Sequence, residues 1–349
     1  MTAFKPPTIA TIENSTLRQE LQHIIDMKTK PLGALGRLES LGLQLGMIQG
    51  TTAPHLDQPQ IRVFAADHGL TQQQGISAFP SAVTAQMVHN FLNGGAAINV
   101  LARQHHIELK VVDAGVDADF EPHAQLLTDY KVRLGTRDAL TQRAMTDEEC
   151  LQALNNGMSV SRQLSGNLLI VGEMGIGNTS AASLLLARLG QIPLVECIGR
   201  GTGLDDAGLQ HKIDILTQVL DYHKAAVTPL AALCAFGGLE IAMMAGSFIQ
   251  AASDRRILLI DGFIASVALF VADLLAPGVR QYAVFAHHSV EPGHARLLQL
   301  LDAKPLLDMD MRLGEGSGAA LAYPILQSAC AIISEMASFD DAGVSEKNS

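Results

Sequence analysis

The chain has 349 residues, a formal net charge of -11 from 24 Lys+Arg against 35 Asp+Glu, and 48% hydrophobic residues. That length accommodates one large or two ordinary domains with a substantial core, and the acidic balance argues against nucleic acid and anionic membranes as partners, because both select basic surfaces. The four cysteines, Cys150, Cys197, Cys234 and Cys330, form no C-x-x-C pair, so neither a disulfide framework nor a zinc-thiolate site is indicated, and a reducing cytoplasm fits.

Taken in order, the chain begins without an apolar signal core and passes into a helical region at residues 15–50. Leu17, Leu21, Ile24 and Ile25 recur at helical spacing, and after Pro31 a second stripe carries Leu35, Leu38, Leu41 and Leu45. From residue 60 short apolar runs alternate with helical stretches. Strands are predicted at 62–66, 109–112, 168–171, 193–196, 256–260 and 282–285, and helices near 81–92, 95–104, 146–164, 178–189, 205–222, 238–252, 262–275 and 292–302. Thr146 and Glu149 form a capping box at the start of one of these. The alternation points to an α/β fold, an open parallel sheet flanked by helices. Residues 231–252 are apolar apart from Glu240 and long enough to span a bilayer, but Gly237-Gly238 interrupts them, and one or two buried helices are expected.

The strand ends carry the chemistry. They run into Asp67-His68-Gly69, Asp113-Ala114-Gly115, Gly172-Glu173, Asp261-Gly262 and His287-His288-Ser289. In an open parallel sheet all carboxyl ends lie on one edge, where ligands bind. Any one Asp-Gly is commonly a turn or helix cap; five together suggest a pocket.

The most informative stretch is Leu168-Leu169-Ile170-Val171-Gly172-Glu173-Met174-Gly175-Ile176-Gly177-Asn178-Thr179-Ser180, a buried-strand pattern that enters a glycine turn and opens into an Ala/Leu-rich helix. Such a turn presents free N–H groups and the positive end of a helix dipole to an anion. Read as a P-loop, it has Asn178 in place of the lysine; read as a dinucleotide fingerprint, it has Ser180 in place of the third glycine. A single phosphate, as on a mononucleotide, suits what remains. A glycine turn that only packs a helix on a sheet would show the same pattern. A second cluster, Gly199-Arg200-Gly201-Thr202-Gly203, precedes a helix with Lys212, which could supply the missing cation or be a surface lysine.

Two further segments bear on a substrate. Residues 80–90 start a helix with Pro80 or Ser81 at its cap and place Gln86 and Met87 in its second turn, where they could meet a ring, although such residues are also commonplace on helix faces. Arg312-Leu313-Gly314-Glu315-Gly316-Ser317-Gly318 precedes a long apolar helix through about 336 that contains Pro324. A carboxylate between glycines is accessible, and an apolar setting would raise its pKa, so Glu315 is a candidate general base; a first-turn helix glutamate is the plainer alternative. Glu173, beside the phosphate turn, is the second candidate. No nucleophile elbow is present. His287, His288 and His294 make a weak metal set, since adjacent strand residues face opposite sides.

Lys30-Pro31-Leu32-Gly33, Ala66-Asp67-His68-Gly69, Gly94-Gly95-Ala96-Ala97-Ile98-Asn99, residues 172–179 and residues 312–318, in this order, resemble the nicotinate-nucleotide:dimethylbenzimidazole phosphoribosyltransferase family over about residues 30–342. Lys30-Pro31-Leu32-Gly33 taken alone could be purely structural. The resemblance implies a Rossmann-like large domain at 59–305, a smaller helical domain from both chain ends at 1–58 and 306–349, and a homodimer. It implies transfer of the phosphoribosyl group of nicotinate mononucleotide to dimethylbenzimidazole, giving α-ribazole 5′-phosphate for the lower ligand of cobalamin. Glu315 would be the base and Glu173 a second acid. Gly175, Gly177, Asn178, Thr179, Gly201, Gly203, Lys212 and Ser289 would contact phosphate and ribose, Gln86 and Met87 the benzimidazole, with Ile176, Asp261 and Leu313 also among the substrate-binding residues. Ala82 departs from the family pattern, which usually has glutamate there. No metal or cofactor is implied, since there is no pyrophosphate to neutralise, and no general acid, since the pyridinium departs as a neutral ring nitrogen. Two rivals remain at this point: a nicotinamide-dependent oxidoreductase, with Glu196 as its loosely placed ribose acid, and a non-catalytic nucleotide-binding module.

Overall fold

Runs of leucine and β-branched residues buried on both faces make the central strands, as a parallel sheet covered by helices requires. The computed structural model describes residues 4–121, 123, 125–200 and 203–345. Strands β1 (Gln60–Ala66), β2 (Glu108–Gly115), β3 (Leu127–Asp129), β4 (Leu168–Met174), β5 (Ile257–Ile260) and β6 (Ala283–Phe285) form one sheet in the order β3-β2-β1-β4-β5-β6. All its pairings are parallel. The chain runs outward from β1 to β3, then returns to the other side of β1 and continues to β6. The order therefore reverses between β1 and β4, which is where such sheets open a crevice at the strands' carboxyl ends. Val63 lies opposite Gly172 and Phe64 opposite Glu173.

Helices Ala97–Gln104, Asp147–Arg162, Asn178–Gly190, Asp206–Tyr222, Leu239–Ser253, Phe263–Leu275 and Pro292–Leu300 fall within about two residues of their predicted limits. The Thr146 capping box forms, with Glu149 N–H donating to Thr146 Oγ1 at 3.1 Å and Thr146 N–H to Glu149 Oε2 at 2.8 Å. The apolar stretch is two helices, Pro229–Phe236 and Leu239–Ser253, broken at the Gly237-Gly238 turn. Fourteen of the fifteen residues of the second are buried against the protein itself.

Three local expectations are corrected. Residues 193–196 are not a strand: Pro193 caps the short helix Leu194–Cys197, in keeping with the missing N–H that bars proline from a central ladder. The edge strand β3 went unpredicted, being three residues long and paired only with β2. The helix expected from residue 81 is Val83–Leu92, with Ala82 at its cap, because Val83 and Thr84 bond back to Pro80 and Ser81 in a turn.

Helices from the two chain ends pack together. Ser15–Asp26 (capped by Asn14, whose Oδ1 accepts from Leu17 N–H at 3.1 Å) and Arg37–Gln49 meet Ser317–Glu335 through Leu17, Leu21, Ile25, Met47 and Ile333. Backbone bonds from Thr29 to Ala337 and from Phe339 to Met27 join the ends. Lys30-Pro31-Leu32-Gly33 belongs to this joint: Lys30 Nζ is 2.8 Å from Glu39 Oε1, which also accepts from Leu35 N–H, and Leu32 is exposed.

Candidate active site

β4 delivers the glycine turn at 175–177 to the switch point. Gly175 passes so close to β1 that a methyl group there would collide with the Ala66 carbonyl, and Gly177, at φ +96°, caps helix Asn178–Gly190 without any side-chain partner for the helix N-terminus. The turn is tied down by Ile176, whose N–H donates to Thr84 Oγ1 at 3.1 Å. The result is a fixed, uncapped helix N-terminus of the kind that binds anions. The cation that Asn178 does not supply comes from helix Asp206–Tyr222: Lys212 is 1% exposed and its Nζ lies 3.3 Å from Thr179 Oγ1. Burial pulls the Lys212 ammonium down to about 8, with Glu291 opposing the fall. Residues 175–179, Lys212 and Arg200 share a cavity of about 30 Å³, and Arg200 also borders a larger one of about 430 Å³ together with Gly199, Gly203, Glu291 and Arg312.

The carboxylates converge beside this turn. A methyl on Gly172 would strike the Glu315 backbone, and one on Gly314 would strike Glu173 Oε1, so the loop carrying Glu315 interlocks with β4. Gly314, Glu315 and Gly316 all have positive φ, +85°, +64° and +87°. For glutamate this conformation is uncommon and costs energy, and such strain gathers at functional positions. Asp261, at the end of β5, holds it in place: its carboxylate accepts from Gly316 N–H at 3.1 Å and Ala319 N–H at 3.0 Å, at the start of helix Ser317–Glu335.

Glu315 is 4% exposed, and its Oε2 has no hydrogen-bond partner among the described residues. Burial pushes its pKa up to about 7, the Ile98 amide opposing and the Asp261 charge adding. The Gly94–Asn99 motif explains that amide: Asn99 accepts from Ala96 N–H at 3.1 Å and donates to the Phe91 carbonyl at 3.0 Å, setting the helix start that carries Ile98. Glu173 rises further, to about 8, first through burial and then through Asp261 and Glu240, while the Asn178 amide that bonds it works the other way. Two acids with raised pKa values in one buried cluster beside an uncapped helix N-terminus are suited to proton transfer at neutral pH.

Glu173, Gly175, Ile176, Gly177, Asn178, Thr179, Lys212, Asp261 and Glu315 are thus linked by direct contacts around one point. Ser289 is buried and already engaged, its N–H donating to His294 Nδ1 at 2.9 Å. That bond leaves the His294 proton on Nε2, facing Ser266 Oγ at 3.1 Å, and burial takes the imidazole down to about 3. His287 faces Asp261 at 3.7 Å and His288 faces Asp308 at 3.6 Å, so the three histidines do not converge on one point. Gln86 is exposed, Met87 half-buried, and Leu313 55% exposed. Gly203 lines the larger cavity, and Gly201 lies outside the described residues. Glu196 pairs with Arg296 at 2.6 Å. The sequence did not reveal Thr84, Ile98 or Glu240 as parts of this region; the lone acid in an apolar stretch was the available signal for the last.

A phosphoribosyltransferase family model matches residues 11–344. A protein of Variovorax paradoxus strain S110 named nicotinate-nucleotide–dimethylbenzimidazole phosphoribosyltransferase is 56% identical over 98% of this chain and 98% of its own. A protein of the same name from Cupriavidus necator is also 56% identical, over 97% of this chain and 98% of its own. The crystal structure of CobT from Thermus thermophilus superposes with a TM-score of 0.92 at 39% identity, covering 95% of this chain and all of that one.

Proposed function

The chain belongs to this phosphoribosyltransferase family, and from that premise we propose that it transfers the phosphoribosyl group of nicotinate mononucleotide to 5,6-dimethylbenzimidazole, releasing nicotinate and forming α-ribazole 5′-phosphate. The observation that carries the reading is the interlock of the Glu315 loop with β4, which sets a buried, raised-pKa carboxylate beside an anion-binding turn.

The turn at residues 175–179 and Lys212 hold the 5′-phosphate, fixing the ribose. Glu315 takes the proton of the azole N–H as the ring nitrogen attacks C1′ from the face opposite the pyridinium. The C1′–N bond to nicotinate breaks, its electron pair passes to the pyridine nitrogen, and the β-linkage becomes α. The leaving group needs no proton, so one base suffices; positioning by the remote phosphate supplies much of the remaining acceleration. Glu173, held protonated below about 8, adds no negative charge of its own to repel the deprotonating azole in that range. Gly203, Gly201 and Ser289 belong to the phosphate and ribose side, and Gln86, Met87 and Leu313 to the base side.

Incubating the protein with both substrates and no metal tests the reading. Nicotinate release with an α-configured product by proton NMR is expected; nicotinate release without the azole, or a β-product, would refute it.

We also propose a cytoplasmic homodimer with a helical domain of residues 1–58 and 306–349 on a large domain of 59–305. Four free buried cysteines, the backbone bonds joining the chain ends, and the half-exposed Leu321, Pro324 and Ile325 on the last long helix support these assignments. Light scattering at twice the 37.1 kDa chain mass checks the dimer.

A further inference from the structure

Beneath the phosphate turn lies a buried pair that the chemistry above does not use. His68, at the tip of β1, is 3% exposed and Glu240, in the first turn of helix Leu239–Ser253, is 0% exposed; Nε2 and Oε1 are 2.7 Å apart. The imidazole is packed against the turn itself: a methyl on Gly175 would sit 3.4 Å from its Cδ2 and Nε2, and one on Gly177 3.3 Å from its Cβ. From the other side Gly238 closes the cage, where a methyl would lie 2.5 Å from both His68 Cε1 and Glu240 Oε2. The His68 carbonyl accepts from the N–H and hydroxyl of Thr71, whose methyl borders Gly177. The histidine end of the pair thus faces the anion site and the carboxylate lies behind it.

Resting on the mononucleotide reading above, we infer that His68 and Glu240 are positioning residues of the phosphate cradle, an imidazolium–carboxylate pair that fixes the height of the Gly175–Gly177 turn and sets a positive charge under the bound phosphate. The charged groups facing the imidazole are Glu240 and Asp67, both of which favour its protonated form, against the burial that disfavours it. A buried acid with one unpartnered oxygen, Glu240 Oε2, is an expensive way merely to fill space. A charge set under the loop gives the pair a use, because it acts on a phosphate through low-dielectric protein rather than water.

The test compares wild type with His68→Gln, Glu240→Gln and the double variant, using inorganic phosphate by calorimetry and the KM for nicotinate mononucleotide. His68→Gln alone lowers Tm, since it leaves Glu240 buried without a cation. The double variant pairs two neutral amides, so Tm returns towards wild type, yet phosphate affinity stays about tenfold down and KM about tenfold up, with kcat changed less than about threefold. A double variant with wild-type phosphate affinity and KM overturns the inference. Independently of any variant, the His68 imidazole resonances of wild type are titrated by NMR with and without phosphate: reciprocity requires phosphate to raise the His68 pKa, and an unchanged pKa also overturns it. If wild type binds phosphate but releases no nicotinate, the transferase reading fails while phosphate calorimetry on the variants and the His68 titration still decide the role of the pair.

Discussion

The two sides of the site are built differently. On the phosphate side the anchoring groups are buried and already engaged: Ile176 with Thr84, Asn178 with Glu173, Lys212 beside Thr179, and Asp261 with the amides behind Glu315. On the base side Gln86 and Leu313 are exposed and Met87 is half-buried. One half is preorganised, so its contacts cost little ordering when substrate arrives; the other is left to be ordered as substrate binds. Removing a group from the first half should therefore change chemistry or phosphate binding steeply, and removing one from the second should change only the azole's affinity.

The largest effect tests the base. Glu315→Gln keeps the shape of the site and removes the proton acceptor, so kcat falls about 10³-fold while the mononucleotide still binds. Rapid quench with calorimetry on the same preparation checks it, and normal turnover would remove Glu315 from the mechanism. The same variant probes the cost of burying the charge. The carboxyl's pKa is about 7 against an ordinary 4.5; a raised acid contributes stability below the unfolded value and loses it as pH rises through the folded one. At about 1.4 kcal/mol per pH unit, the gap of about 2.5 corresponds to roughly 3 kcal/mol of destabilisation in wild type above pH 7. Glu315→Gln should accordingly melt higher than wild type at pH 8.5 and show no such advantage at pH 4.5.

Lys212→Gln comes next. Loss of a buried charge-assisted contact to phosphate raises the KM for mononucleotide about 10- to 100-fold, with a smaller change in kcat. Ordinary steady-state kinetics decide it, and an equal fall in kcat would mean that Lys212 acts in the transition state.

A pH profile joins the two halves. On the proposed mechanism Glu315 would act as a base above about 7, with Lys212 charged below about 8 and Glu173 protonated below about 8. The kcat/KM profile should rise about tenfold per pH unit below the first value, fall above the second, and peak narrowly between them. Because the acids are close, the apparent values belong to the cluster. Glu173→Gln should leave the rising limb and make the alkaline limb less steep.

The sequence made the preorganised half legible because its signals are local. A strand, a glycine turn and a helix start lie within thirteen residues at 168–180, and Glu315 sits between two glycines. Lys212 was readable as a candidate only through its distance from a glycine cluster; its burial against Thr179 is a tertiary fact. Glu240 and His68 are 172 residues apart in the chain and share no periodicity, so their pairing could not be read. Asp261 stood out only as the polar residue of one of five strand ends; that its oxygens accept from the Gly316 and Ala319 amides behind Glu315 is a tertiary fact. Residues 193–196 failed for the opposite reason: an apolar run short enough for a strand was used as a helical turn after a proline.

The smallest effect sharpens the contrast most. Gln86 projects from helix Val83–Leu92, two residues after Thr84 and so on a different face from the residue that anchors Ile176; the helix itself is fixed while this side chain is not. An exposed amide that bonds the azole exchanges one hydrogen bond to water for another, and its net worth is about 1 kcal/mol. Gln86→Ala should thus raise the KM for dimethylbenzimidazole about three- to tenfold and leave kcat, the mononucleotide KM and Tm unchanged. A loss of kcat comparable to that of Glu315→Gln would show that the base side is as rigidly organised in the working enzyme as the phosphate side.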